Sequence, residues 1–352
     1  MLKYTIKRIL LAFVTAFIIL TLTFLLVKSL PIPPFFDPDP FKIYAHYKEQ
    51  VSFGYCVELL EDMGNTSKYG QQLFSYFVKD TGKTYYYYKN PIWDQYIAWL
   101  KGIFTRWDWG TSTVIEQNTP ALTILLERLP ASLSINIISV VLSVPLGIVL
   151  GIIAGLKKNS WIDHTISTLV MVFISIPSFV VVIFLVYWLG YNGPLPSSWP
   201  TSDRSNTMKA LGYIIPVLSL SFGSVCGYAR FVRAELCEVM SSEYLLLART
   251  KGLTKNQAIR RHALRNAFVP ILPSILAEFI GVFSGSMVLE QIYNIPGIGS
   301  IYIRALNQAN PDYNVLMVDM AIVTIIGLLA GVLLDLSYGF IDPRIRMGEK
   351  NS

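Results

Sequence analysis

Six long apolar runs constrain this chain more than any other feature of its sequence. A helix needs about 20 apolar residues to cross a hydrocarbon core roughly 30 Å thick. The chain as a whole is 53% hydrophobic with only 15% charged residues, which lies outside the usage of soluble proteins. We therefore predict a multi-pass cell-membrane protein embedded in the lipid bilayer. The predicted spans are Ile9–Val27, Leu133–Leu156, Ile166–Leu189, Leu211–Ala229, Phe268–Leu289 and Val315–Tyr338.

The first run begins like a secretory signal, because Lys3, Lys7 and Arg8 precede it. Its apolar stretch is too long for a signal peptide, and no small-residue cleavage pattern follows. We predict a retained transmembrane helix over residues 1–29.

The basic residues predict the orientation, because short loops rich in Lys and Arg stay on the cytoplasmic side. The segment from Arg230 to Arg265 is rich in Lys and Arg. The loop from Gln291 to Asn314 has a single basic residue, Arg304. Both termini are then cytoplasmic, including the tail 341–352. This asymmetry accounts for the net charge of +6, so nucleic-acid binding is an unnecessary inference.

The segment 30–130 lies between the first two spans and is expected outside the cell membrane. It is too long for a plain connector, and its aromatic residues and balanced charge predict a small folded subdomain rather than disorder. The run Tyr85–Tyr88 fits either a strand or an interfacial aromatic belt. Both readings stay open from the sequence.

A basic helical hairpin is predicted over Ser242–Asn266. The first helix should end near Lys251, with Gly252 in the left-handed position that follows a helix and Leu253 folded back on Ala248. Basic residues in this last turn suit the negative end of a helix.

Thr254 then reads as the N-cap of a second helix, and Gln257 completes a capping box. Such a hairpin either docks a partner or serves as a connector that packs on its own neighbours. The pattern alone leaves both open.

Signatures of enzyme chemistry are missing from the sequence. It contains no GxSxG, HExxH, CxxC or Walker-type GxxxxGKS/T motif, so neither hydrolysis nor nucleotide binding has an evident site. His46, His164 and His262 are too scattered to form a metal site. We predict a chain that is not an enzyme and holds no cofactor or metal of its own.

Carboxyl groups within the spans are candidates for a transport path, because burying one at the bilayer centre costs about 2.5–3.5 kcal/mol on insertion scales. Glu278 lies near the middle of the fifth span and Asp335 near the cytoplasmic end of the sixth. Glu278 either lines a path or pairs with a polar group of a neighbouring helix. Glu290 and Asp319 lie near outer ends and are expected to be interface residues.

Several motifs in order resemble one family. From Trp107 to Arg346, and again over the first span, the chain resembles the inner-membrane permease subunit of bacterial peptide importers of the ATP-binding cassette (ABC) class, which includes oligopeptide, dipeptide and nickel systems. The matching pieces are WDWGTS, RLPASL, SIPSF, YARFVRAELCEVMSSEYLLLARTKGL, HALRN, MVLEQIYNIPGIGSIYIRAL and DLSYGFIDPRIR.

The resemblance implies an all-α membrane protein of six transmembrane helices with the type I ABC importer permease fold. An extracytoplasmic insertion would separate helices 1 and 2, and a permease core 131–340 would contain the coupling loop 230–267. Matching positions identify the hairpin as the family's EAA-type loop. The residues assigned to this ATPase-coupling loop are Tyr244, Ala248, Lys251, Gly252, Thr254, His262 and Asn266.

The implied partners are a homologous second permease in a heterodimer, two cytoplasmic ATPase subunits that bind ATP and Mg, and an extracytoplasmic binding protein. The expected cargo is an oligopeptide, with dipeptide, nickel or glutathione as alternatives. The candidate path residues are Glu278, Ser284 and Met287, and an amide is more usual where Glu278 stands. A proton-driven secondary transporter with Glu278 as the titrating group is the rival from another class.

Overall fold

The computed structural model describes residues 2–30, 35, 38–63, 69–70, 72–79, 81–201, 203–282, 285–307 and 311–341. The chain divides into two compact units. The first unit comprises Met1–Ala12, Arg128–Ser300 and Ile325–Ser352, and the second comprises Phe13–Glu127 and Ile301–Thr324.

Helices make up most of the described chain, with one small sheet. The helices are α1 Leu2–Ser29, α2 Pro40–Ser52, α3 Ile92–Arg106, α4 Ala121–Leu156, α5 Trp161–Ile174, α6 Ser178–Leu185, α7 Asn206–Leu211, α8 Ile214–Met240, α9 Glu243–Thr250, α10 Lys255–Ala258, α11 Leu264–Phe268, α12 Ile271–Gly281, α13 Met287–Ile292, α14 Ile298–Ala305 and α15 Tyr313–Ile341. The strands are β1 Cys56–Leu59, β2 Gln72–Val78 and β3 Lys83–Lys89.

Four predicted spans correspond to long continuous helices, which are α1, α4, α8 and α15. Within the described residues, four stretches are long and apolar enough to cross a membrane, and the one containing α8 begins with α7. Each helix extends past the apolar run that predicted it on at least one side, although α8 begins at Ile214, three residues after its predicted start. The predicted helical membrane portion is confirmed.

The third span is not the straight helix that the run Ile166–Leu189 predicts. Helices α5 and α6 meet at an angle of 95°, and a π-helical turn at Val186–Tyr191 follows α6. Pro177 lies in the break. A proline has no N–H to donate, and it drives the preceding residue out of the α-helical region.

The fifth predicted span is also divided. Its apolar run Phe268–Leu289 contains α12 and the start of α13. Gly285 has a φ of +66°, and the next residue, Ser286, is extended. A helix cannot continue through a left-handed residue followed by an extended one.

The sheet of the second unit has the strand order β1-β3-β2, with both pairs antiparallel. The tyrosine run forms most of the central strand β3, which settles the choice between a strand and an aromatic belt. Tyr47 of α2, Cys56 of β1 and Tyr87 of β3 form the buried centre of this subdomain. Burial raises the pKa of the Cys56 thiol to about 12, so the thiol is un-ionised at neutral pH.

Helices α4 and α8 pack closely in the first unit because α4 presents glycines at the contact. A Cβ on Gly147 would lie 2.5 Å from the Cβ of Tyr228, and one on Gly151 would lie 2.6 Å from the Cβ of Val232. Small residues four apart let two membrane helices approach in this way.

Candidate functional site

The first helix of the hairpin ends in the predicted left-handed turn. Gly252 has a φ of +95°. Its N–H donates to the carbonyl of Arg249 over 3.0 Å, and the N–H of Leu253 donates to the carbonyl of Ala248 over 3.4 Å. This pair of bonds is the Schellman arrangement, which satisfies the last carbonyls of a helix.

The second helix begins with the predicted capping box. The side-chain oxygen of Thr254 accepts from the N–H of Gln257 over 3.3 Å, and the side chain of Gln257 accepts from the N–H of Thr254 over 3.0 Å. Caps on both sides of Gly252 therefore fix the angle between the two helices.

An apolar cluster attaches the hairpin to the end of α8. Leu236 of α8 and Leu245 of α9 are buried together with the second arm of the hairpin. That arm is interrupted by a π-helical turn at Ile259–Ala263, where Ile259 and Ala263 face the cluster. A π turn inside a helix is often found at functional sites.

The opposite face of the hairpin is open. Tyr244, Leu246 and Leu247 are 41%, 62% and 56% exposed, and they share α9 with the exposed Arg249. Exposed leucines beside basic residues are typical of a surface that binds another protein.

The residues predicted for the coupling loop occupy different faces of this hairpin. Ala248 is partly buried, whereas Lys251, His262 and Asn266 are exposed. Gly252 has open space around it, because a Cβ at this position would meet no described atom within 4 Å. The loop therefore presents its turn and its polar side chains outward.

The predicted path residue Glu278 lines a pocket of about 250 Å³ in the first unit, whose walls are partly polar and partly apolar. Asn136 and Ser139 of α4 and Ser224 of α8 contribute to its walls. The hydroxyl of Tyr228 lies close enough to Glu278 to interact with it electrostatically. Glu278 is partly exposed, and its place in a transport path stays a prediction.

Of the other two predicted path residues, the structure describes only Met287, which is not part of this pocket. Met287 is exposed at the first position of α13, and Ser284 lies outside the described residues.

Glu290, which the sequence places near the outer end of its predicted span, is buried within the chain. It is 2% exposed and accepts three hydrogen bonds, from the hydroxyl of Ser132 over 2.7 Å, from the N–H of Ser286 over 3.2 Å and from the N–H of Ser300 over 3.0 Å. Asp319 is likewise buried. Hydropathy does not predict this burial, because it contains no information on contacts between distant parts of the chain.

A buried ion pair that the sequence analysis missed joins α5 to α8. Asp163 is fully buried and receives two hydrogen bonds from the guanidinium of Arg233, one of them 2.8 Å long. The N–H of Asn159 and the hydroxyl of Ser167 donate to the same carboxyl group. A bidentate pair of this kind holds two helices at a defined angle.

The sequence of the chain matches one known protein family. The sequence profile of the family described as the binding-protein-dependent transport system inner membrane component matches residues 147–347. The chain belongs to this family. It is 31% identical over 349 residues to the dipeptide transport system permease protein DppB of Lactococcus lactis, with 99% of this chain and 100% of the relative covered.

Two further comparisons extend this result. The permease is 30% identical over 357 residues to the oligopeptide transport system permease protein OppB of Escherichia coli K12, with 98% and 100% of the two chains covered. An inward-facing structure of the MetNI methionine ABC transporter has a TM-score of 0.50 at 16% identity, covering 63% of this chain and 97% of that one. The structural match identifies the type I importer permease fold.

The matched motif WDWGTS has a structural role in the second unit of this permease. The carboxyl group of Asp312 accepts hydrogen bonds from the hydroxyl of Ser112 and from the N–H groups of three consecutive residues, Thr113, Val114 and Ile115, at 2.6–3.1 Å. The side chain of Asn314 donates to the carbonyl of Thr111. These bonds fasten the loop before α4 to the start of α15.

The second unit also contains a polar pocket of about 360 Å³, whose lining includes Lys42, His46, Glu49 and Asn118. Burial lowers the pKa of His46 to about 4, so its imidazole is neutral at neutral pH. Among the described residues, no group of three or more His, Cys, Asp or Glu side chains could hold a metal ion.

Proposed function

We propose that this permease conducts peptides inward as one membrane subunit of an ATP-driven importer. The observation that carries the proposal is the full-length similarity to a dipeptide transport permease, together with the similarity to oligopeptide transport permeases. The family match argues against the rival reading as a proton-driven secondary transporter.

The hairpin is the proposed docking surface for the ATPase subunits, which would bind ATP and Mg. Its apolar cluster fixes it to α8, while Tyr244, Leu246 and Leu247 remain exposed for a partner. A rigid turn transmits a partner's closure to the attached span better than a flexible loop does. The chain itself supplies no catalytic group in this scheme.

The proposed orientation has both termini in the cytoplasm, with the hairpin on the same side. The basic residues around the hairpin support it. A single cysteine replacing Lys255 should resist an impermeant thiol reagent in intact cells, and one replacing Ser205 should react. Reaction at position 255 would contradict the orientation and the coupling role together.

The pocket at Glu278 is the proposed part of the peptide path in this chain. A heterodimer with a homologous permease would complete the path, and an extracytoplasmic binding protein would deliver the cargo. The carboxyl group of Glu278 and the neighbouring Asn136, Ser139 and Ser224 offer partners to a protonated amino terminus and to backbone N–H and C=O groups.

We propose oligopeptides as the cargo, with dipeptides, nickel and glutathione as alternatives that the experiment separates. The importer is reconstituted with its ATPases, sister permease and binding protein in proteoliposomes. Uptake of labelled di-, tri- and pentapeptides is then measured with ATP and with a non-hydrolysable analogue, and labelled nickel and glutathione serve as comparison substrates.

The proposal predicts peptide uptake that needs ATP hydrolysis and survives collapse of the proton gradient. A higher uptake of tri- and pentapeptides than of dipeptides supports oligopeptides as the cargo. Uptake that needs the proton gradient and ignores ATP would contradict the function, and uptake of nickel or glutathione alone would contradict the cargo.

A further inference from the structure

Helix α3 has three stripes of side chains in different surroundings. The buried stripe packs against the rest of the second unit, to which α3 belongs. It contains Tyr96, Trp99 and Ile103. An exposed apolar stripe contains Trp93, Ile97 and Phe104, which are 60%, 62% and 68% exposed. Spacings of four and seven residues return to the same side of a helix, so these three side chains are aligned.

The third stripe is polar. Asp94, Lys101 and Thr105 are exposed, and their spacings of seven and four residues align them beside the apolar stripe. A helix at the surface of a soluble protein has one buried and one polar face. The exposed apolar stripe of α3 therefore requires an apolar environment outside the described chain.

The contacts of α3 with α1 show how deep the helix lies. The hydroxyl of Tyr96 is 2.7 Å from the hydroxyl of Thr21, and the ring of Phe24 lies 5.4 Å from Tyr96 and 5.0 Å from Trp99. Thr21 and Phe24 precede the last residue of α1, Ser29, by eight and five residues. At 1.5 Å per residue these positions are about 12 and 7.5 Å below the helix end.

Helix α1 is apolar around the level of this contact and exposes apolar side chains there. Leu22 and Leu26 are exposed, and only 6% of the apolar window of α1 is buried within the chain. A helix packed against α1 at Thr21 and Phe24 therefore lies at the depth of the acyl chains and headgroups rather than in the water above them.

We propose that α3 is an interfacial membrane helix in the leaflet at the C-terminal end of α1. Its apolar stripe contacts acyl chains, and its polar stripe contacts headgroups and water. Interfacial helices place their apolar face about 5–10 Å into this boundary, which agrees with the level of the contact. Trp93 and the exposed Trp107 lie at the two ends of the helix, and tryptophan is enriched at membrane interfaces.

The charges of the polar stripe support lipid as the occupant. Asp94 and Lys101 would be costly at the centre of a bilayer, and they suit its boundary with water. The inference is independent of the cargo and of which side of the membrane is the cytoplasm, since it depends only on the depth of α3 along α1.

Spin labels on the apolar and polar stripes of α3 test the proposal. Ile97→Cys and its matched control Thr105→Cys, whose side chains leave the helix about 80° apart, are labelled in the assembled importer in phosphatidylcholine nanodiscs. The parent chain, which contains only the native Cys56, Cys226 and Cys237, is treated with the same label to measure the background signal. Collisions with oxygen, which concentrates in the acyl region, are compared with collisions with a water-soluble nickel chelate. Phe104→Cys is a second position on the apolar stripe.

We expect the ratio of oxygen to chelate accessibility at positions 97 and 104 to exceed that at position 105 several-fold. ATPase activity of each labelled complex verifies that it is assembled. Equal access of the chelate to 97 and 105 would show a helix in water. Protection of 97 and 104 from both reagents would show a covering protein, and either outcome overturns the proposal.

Discussion

The hairpin, whose helices run from Glu243 to Phe268 in the structure, and the turn that surrounds Glu290 are both held by hydrogen bonds, but these bonds join residues at very different distances along the chain. In the hairpin the fixing bonds join residues three to five positions apart and leave one face exposed. In the Glu290 turn, residues 285–300, the bonds reach back to Ser132 and the carboxyl group is buried. The hairpin leaves one face exposed, whereas the Glu290 turn is closed on its own chain.

Glu290→Ala should have the largest effect, because it breaks the closed region. The hydroxyl of Ser132 and the N–H groups of Ser286 and Ser300 would lose their acceptor, and each buried donor left unsatisfied costs about 1–3 kcal/mol. We expect the permease to lose most of its thermal stability in detergent, as measured by fluorescence-detected size exclusion after heating.

Glu278→Ala is the matched control for this experiment, since it removes the same group from a partly exposed site. It should elute like the parent protein. An unchanged elution profile for Glu290→Ala as well would show that the Glu290 turn does not hold the fold.

Glu278→Gln should have an intermediate effect, on transport rather than on assembly. A hydrogen bond to a charged group contributes about 1.5–3 kcal/mol, and partial exposure reduces this, so the affinity for peptides with a free amino terminus should fall roughly threefold to tenfold. Uptake of the same peptides with an acetylated amino terminus should be unchanged. If variant and parent take up each form of the peptide, free or acetylated, to the same extent, Glu278 has a structural role and does not bind the amino terminus of the cargo.

Thr254→Ala should have the smallest effect, because it removes one of the two hydrogen bonds of the capping box and costs about 0.5–2 kcal/mol. We expect normal assembly and a modest fall in peptide imported per ATP hydrolysed. Thr254→Ser retains the hydroxyl and should restore the parent value. An equal fall in peptide imported per ATP hydrolysed by Thr254→Ser would show that the capping hydrogen bond is not the cause.

The contrast between the two regions also explains how much of the molecule the sequence could predict. The turn at Gly252 and the capping box were predicted and are confirmed, because their partners are near in sequence. The environment of Glu290 and the bond of Asp163 to Arg233 depend on residues 158 and 70 positions away, and no local pattern encodes them.

The membrane helices were predicted to a similar degree. Hydropathy identified the long helices α1, α4, α8 and α15 but merged α5 with α6 across Pro177, since an apolar run can hide a bend. The sheet of the second unit was left open because tyrosines suit both a strand and an interface. The path residues and the coupling role stay predictions.

Peptide imported per ATP hydrolysed by Gly252→Val tests the central claim, coupling through the hairpin, most directly. A Cβ meets open space at this position, so the defect arises from the φ of +95°, which costs a side chain about 1 kcal/mol or more and a β-branched one further. Gly252→Asn, which tolerates the left-handed region, is the matched control. The account predicts that Gly252→Val inserts and pairs with its sister permease, yet either loses the ATPases on purification or hydrolyses ATP without importing peptide. Parent values for ATPase co-purification and for peptide per ATP in Gly252→Val would contradict it.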